Sequence, residues 1–127
     1  MARQLAVFAV ALLMGCASTY NLPEAQRSRV YDVPAGAVWN AAIDAVADAG
    51  LAVIETEPEH GRIRARKGGS IYDLEGHVLF VVIGELDDGR VRVDANVENA
   101  STDDPIDFGQ SKRILRAYLA ALDARTG

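Results

Sequence analysis

Cysteine, histidine and tryptophan are scarce in this chain, which has one Cys, one Trp and two His among 127 residues. A single Cys cannot form an internal disulfide, and one Cys with two His is a poor ligand set for a structural metal ion. Basic residues are also few, 13 against 18 acidic ones, which gives a net charge of -5. Nucleic-acid binders concentrate Lys and Arg on a basic face. We therefore expect no metal, no cofactor and no nucleic-acid partner.

A recognisable catalytic set is also missing. His60 and His77 have no Ser-His-Asp, Cys-His or Glu-x-x-His partners at a usable spacing, and a general base needs a positioned partner. The acidic residues Asp103, Asp104 and Asp107 lack the spaced oxygen ligands and the glycine of a calcium loop. We interpret both histidines as structural or solvated and the aspartates as part of a turn. We therefore predict that the protein is not an enzyme.

No apolar run is long enough to span a bilayer, which needs about 20 residues. The longest one, Leu5 to Met14, has about ten residues and follows the single charge of Arg3. A short apolar run behind a basic start is typical of a secretory signal peptide. We therefore predict that residues 1–15 are a signal peptide.

The sequence Leu13-Met14-Gly15-Cys16 at the end of that run resembles the lipobox of bacterial lipoproteins. In that family the Cys thiol takes a diacylglyceryl group, the chain is cut just before the Cys, and the new amine is commonly acylated. The resemblance implies cleavage between Gly15 and Cys16, with Cys16 as the lipid attachment site. Two alternatives are that Cys16 is an incidental member of the apolar run, or that an ordinary cut after Ala17 releases a soluble exported protein.

Ala17 follows the Cys, whereas Asp at that position is the usual signal for inner-membrane retention in Gram-negative lipoproteins. In a Gram-negative host, the resemblance therefore implies a lipid anchor in the outer membrane, with the protein facing the periplasm. The polar residues that follow lack apolar periodicity. We interpret residues 16–27 as the lipidated Cys and a flexible tether, and residues 28–127 as a single domain.

Within that domain, apolar periodicity predicts the order β-α-β-β-β-β-α. Alternation at every second residue predicts strands over 28–33, 51–57, 62–67, 77–85 and 90–98, the fourth of them central. Spacing of three and four residues predicts helices from Pro34 to Gly50 and from Gln110 to Ala124. Because the strands alternate, one sheet face needs cover, which two amphipathic helices can supply. The predicted fold class is α+β, a two-layer sandwich of a mainly antiparallel sheet with two helices on one face.

The first helix should bury one apolar face, with Trp39 in the core rather than in a ligand platform. That face comprises Val38, Trp39, Ala42, Ile43, Val46 and Ala49.

Four parts of the domain are similar to small bacterial envelope lipoproteins of uncharacterised function. They are the segment Val-Tyr-Asp-Val-Pro, the Ala-rich helix with Trp39, the segment Gly61-Arg62-Ile63 and the helix from Arg113 to Leu119. More loosely, they are similar to the helix-grip domains of BamC, an accessory lipoprotein of outer-membrane protein assembly. With the lipobox and no catalytic set, this favours a non-enzymatic, lipid-anchored interaction or accessory module with an envelope protein partner. The alternative is a small-ligand-binding, helix-grip-like domain exported to the periplasm.

Two features are candidate contact sites. The first is a basic stripe on one strand, suited to anionic headgroups or to an acidic partner, formed by Arg62, Arg64, Arg66 and Lys67. The alternative is a solvated face whose arginines pair across strands with residues such as Asp94 or Glu98. The second is a candidate contact loop between glycines, with the apolar residues Ile71, Tyr72 and Leu74. These side chains either cover the sheet edge as a lid or form a contact patch anchored by Tyr72.

Overall fold

A computed structural model of the protein describes residues 23–67, 76–99 and 109–126. The predicted signal peptide, Cys16 and the tether up to residue 22 lie outside the described residues. So do the candidate contact loop of Ile71, Tyr72 and Leu74, and the acidic residues between 103 and 107.

The described chain begins with one short helical turn, α1, in a segment that the sequence predicted as tether. It continues through five strands and two long helices close to the predicted bounds. The elements are α1 (Glu24–Arg27), β1 (Ser28–Tyr31), α2 (Ala35–Asp48), β2 (Leu51–Glu57), a 3-10 turn (Pro58–His60), β3 (Arg62–Lys67), β4 (His77–Glu85), β5 (Val91–Asn99) and α3 (Gln110–Thr126). Strand β1 ends two residues before the predicted limit, since Asp32 and Val33 already turn towards α2.

The five strands form one open antiparallel sheet in the order β1-β5-β4-β3-β2. Strand β4 is central, as its apolar sequence predicted. Helices α2 and α3 pack together on one face of this sheet. The predicted fold class, a two-layer α+β sandwich, is confirmed.

The core lies between this sheet face and the two helices. On the sheet side the core is formed by alternate residues of β3, β4 and β5, and on the helix side by apolar side chains of α2 and α3. The fully buried large side chains are Tyr118, Ile63, Leu79, Leu115, Leu119, Leu122, Val38, Val46, Val81, Val91, Val93 and Val97. The Tyr118 hydroxyl donates a 3.0 Å hydrogen bond to the carbonyl oxygen of Ala42 and so joins the two helices.

The buried face of α2 is rotated relative to the prediction. Ala41 and Ala45 are buried with Val38, Ala42 and Val46. By contrast, Trp39, Ile43 and Ala49 are only partly buried and pack against the rim of the core. Small alanines let α2 approach its neighbours closely, whereas an indole needs space at the edge. The prediction that Trp39 belongs to the core is therefore wrong in this respect.

Candidate functional site: the open face of the sheet

The sheet face opposite α2 and α3 is covered by no helix in the described part of the chain, except where α1 lies along one edge. We call it the open face. Side chains on a strand alternate between faces, and the partners of each residue across the sheet follow from the register. The side chains of the open face are Ser28, Val30, Ala52, Glu55, Glu57, Arg62, Arg64, Arg66, Val78, Phe80, Val82, Arg92, Asp94, Asn96 and Glu98.

An apolar ridge runs along the middle of the open face on β4. It consists of Val78, Phe80 and Val82. Val82 is 47% exposed, and the other two are half-buried. The guanidinium of Arg64 lies 5.9 Å from the centre of the Phe80 ring, within the range of a cation–π contact. A row of partly exposed apolar side chains on a sheet face is typical of a contact surface.

The predicted basic stripe borders one side of this ridge, although only with its three arginines. Lys67 pairs with Leu51, a residue that the helices bury, so strand alternation assigns Lys67 to the opposite sheet face. Arg64 donates to Glu55 at 3.1 Å, and Arg62 lies 3.8 Å from Glu57. The predicted partners of these two arginines, Asp94 and Glu98, are therefore wrong. Strand β2, which carries the two glutamates, is the neighbour of β3.

The other side of the ridge is a row of acceptors on β5, namely Asp94, Asn96 and Glu98. Asp94 accepts hydrogen bonds from Ser28 and, at 3.1 Å, from Arg92. Oδ1 of Asn96 is buried and has no hydrogen-bond partner among the described residues, and the same holds for Nε of Arg27, which α1 places beside it. Buried polar atoms without partners are uncommon, so this part of the face has unused hydrogen-bonding capacity.

A shallow depression lies on each flank of the ridge. One, of about 470 Å³, lies between the ridge and the glutamates and arginines of β2 and β3. The other, of about 260 Å³, lies between the ridge, α1 and β5, and contains Arg27 and Asn96. The open face is therefore grooved along both sides of a central apolar strand.

A second surface feature lies at one end of the molecule, where Trp39 lines a depression of about 510 Å³. Its titratable lining residues are Glu59, His60 and Glu85. The 3-10 turn that carries the first two is held against β4, because the Ile83 amide donates to the Gly61 carbonyl at 2.7 Å. No sequence signal indicates that His60 and Trp39 line the same depression, since 20 residues, including strand β2, separate them. His77, at the start of β4, does not line this depression.

Among the described residues, no group of three or more His, Cys, Asp or Glu side chains is arranged to hold a metal ion. In the same residues, no helix combines the length and apolar character that crossing a membrane requires.

A scan against protein-family models finds no matching family, and a search of curated proteins finds no similar sequence. The function proposed below therefore rests on the surfaces of the molecule and on the predicted lipobox.

Proposed function

We propose that this protein is a non-enzymatic, lipid-anchored envelope protein, and that its domain is a periplasm-facing interaction or accessory module at the outer membrane. The open face carries the proposal, because it presents an apolar ridge between two rows of charged and polar side chains. In this proposal the chain is a relative of small envelope lipoproteins and, more distantly, of the helix-grip domains of BamC.

The position of the anchor fits a module that works close to the membrane. Seven residues separate Cys16 from α1, and an extended chain spans at most about 3.6 Å per residue. A lipid on Cys16 would hold the start of α1 within about 29 Å of the bilayer. The domain would then meet partners in or near the membrane.

The charge pattern favours a protein partner over the lipid surface. Glu55, Glu57, Asp94 and Glu98 lie among the arginines of the open face, and anionic headgroups would repel these carboxylates. A mixture of both signs around an apolar centre is what protein interfaces use for specificity.

Site-specific photocrosslinking in cells tests the proposal with the lipid-anchored chain. A photoreactive amino acid at Val82 samples the ridge, and the same amino acid at Val53 is the matched control. Val82 is 47% exposed and Val53 is 42% exposed, but Val53 pairs with the buried Ala65 and so belongs to the opposite sheet face. We expect adducts to an envelope protein from position 82 and not from position 53. Equal labelling from both positions, or none, would contradict an interaction role for the open face.

A second candidate function, binding of a small ligand, is favoured by the Trp39 depression. The space between sheet and helices is filled by core side chains, so the candidate site lies at this surface instead. Its aromatic wall and the carboxylates Glu59 and Glu85, with no Lys or Arg among the lining residues, suit a cationic or hydroxylated molecule.

Trp39 is the only Trp in the chain, so its fluorescence reports on this site alone. Tetramethylammonium and glucose serve as probes of the two ligand classes. We expect a saturable emission change with one of them, weakened in the double variant Glu59→Gln, Glu85→Gln. An unchanged spectrum with both probes would exclude these ligand classes.

A further inference from the structure

The hydrogen-bonding groups on the two sides of the apolar ridge are complementary at each level along the strands. The register places an arginine of β3 and an acceptor of β5 on either side of each ridge residue. The sets are Arg62, Val82 and Asp94; Arg64, Phe80 and Asn96; Arg66, Val78 and Glu98. Donors thus line one side of the ridge and acceptors the other, over three successive levels.

We propose that the open face binds a second copy of this chain, face to face, around a two-fold axis that runs along β4. This inference rests on the proposed function, since it names the partner of the same face. Such an axis lays β4 on the partner's β4 and β3 on the partner's β5. Because rotation about an axis does not change the position along that axis, each residue lies opposite partner residues at the same level along the strands. Each arginine of one copy then faces an acceptor of the other.

The ridge becomes the centre of this interface. Val78, Phe80 and Val82 each lie opposite their own counterpart, so six apolar side chains leave water together. Packed sheets lie about 10 Å apart with strand directions within about 30° of each other, a geometry that a two-fold axis slightly inclined to β4 provides. Self-complementarity of this kind is what a two-fold interface requires.

The size of the face is sufficient for a specific dimer. Five strands about 4.8 Å apart, with about seven residues each at about 3.3 Å per residue, make a face of roughly 550 Å² per copy. The pair would bury about 1,100 Å², near the lower limit of specific interfaces. A lipid on Cys16 would confine both copies to one membrane and raise their effective concentration.

Thiol crosslinking in cells tests the dimer with the lipid-anchored chain. Cys16 is the only Cys, so Val82→Cys adds one thiol, which the two-fold axis places opposite itself. Because packed sheets are too far apart for a disulfide, the reagent is a short bis-maleimide. We expect a crosslinked dimer from Val82→Cys and none from the control Val53→Cys. Equal yields would overturn the proposal. Protease resistance in the same membranes shows that each variant is folded.

Charge reversal with rescue tests the predicted pairing itself. In the Val82→Cys chain, Arg66→Glu or Glu98→Arg alone sets like charges against each other across the axis. We expect either change to lower the dimer yield about tenfold. Co-expression of the two variants, with tags of different size, restores opposite charges, and the mixed dimer should return to the parent yield. Single variants that crosslink as the parent does, or a mixed dimer that fails to recover, would overturn the two-fold arrangement.

The photocrosslinking result at Val82 separates this inference from the proposed function. Adducts to a different envelope protein, with no self-adduct, would overturn the dimer and leave the interaction module standing. No adduct of either kind would overturn both.

Discussion

The Tyr31 hydroxyl donates a 2.6 Å hydrogen bond to Oδ1 of Asp123, which ties the edge strand β1 to helix α3. Nε of Arg29 donates to the same carboxylate at 3.1 Å. Strand β1 has four residues and, within the described sheet, pairs with β5 alone. The Asp123 carboxylate is therefore a main link between this edge strand and the helical layer.

Removing that carboxylate should loosen β1. We expect Asp123→Ala to lower the free energy of unfolding by about 1–2 kcal/mol, because it leaves a half-buried hydroxyl and a guanidinium without their acceptor. Asp123→Asn keeps an acceptor for Tyr31 and should cost less. Urea denaturation measures both, and an alanine variant as stable as the parent would show that the link contributes nothing.

Stability should fall at alkaline pH because of two tyrosines. Burial, and next the hydrogen bond to Asp123, raise the pKa of Tyr31 well above its ordinary value. Burial, and next the nearby Tyr31, raise the pKa of Tyr118 in the same direction. The folded state thus holds these protons more tightly than the unfolded state does. Their contribution is complete below about pH 10, the ordinary tyrosine pKa, and is lost as the pH rises above it.

Denaturation at several pH values between about 8 and 11 checks this titration. Tyr118→Phe should show a shallower loss of stability above about pH 10 than the parent, although it is less stable at neutral pH because the bond to Ala42 is gone. Identical slopes in the two proteins would contradict the assignment.

The turn that supports the Trp39 depression depends on Gly61. Gly61 has φ +65°, and a Cβ there would lie 2.1 Å from the Ile83 carbonyl oxygen. Gly50 has φ +79° with nothing within 4 Å of such a Cβ. Gly50→Ala should therefore cost about 1–2 kcal/mol for its backbone conformation alone. Gly61→Ala should cost clearly more, and thermal unfolding that ranks the two variants equally would contradict the close approach.

A charged substitution on α2 or α3 should destabilise the domain to a degree that depends on how deeply the substituted side chain is buried. Leu119→Asp places a charge at a side chain that is 1% exposed and should prevent folding. The core position predicted for Ile43 from the sequence would make Ile43→Asp equally damaging, but Ile43 lies at the rim of the core, so we predict a folded, less stable domain. Asp44→Ala, which removes an exposed pair with Arg125, should change stability by less than about 0.5 kcal/mol. Circular dichroism melts rank the three variants, and an unfolded Ile43→Asp would contradict the placement at the rim.

The sequence predicted the strands, the two long helices and the central place of β4, because these follow from local apolar periodicity. It did not predict the partners of the arginines, since Glu55 and Glu57 become their neighbours only when β2 lies beside β3. Nor did it predict that the indole of Trp39 lies only partly buried at the rim of the core. An apolar pattern does not distinguish a buried alanine such as Ala45 from an exposed one, so the orientation of α2 depended on packing.

The predicted lipid on Cys16 is the feature on which the proposed location and role depend, and mass spectrometry of the mature N-terminus tests it most directly. We expect a chain that begins at Cys16 and carries a diacylglyceryl group on its thiol, and Cys16→Ser should abolish both the added mass and membrane association. A mature chain with an unmodified N-terminus beyond Cys16 would contradict the lipid-anchored module proposed for this protein.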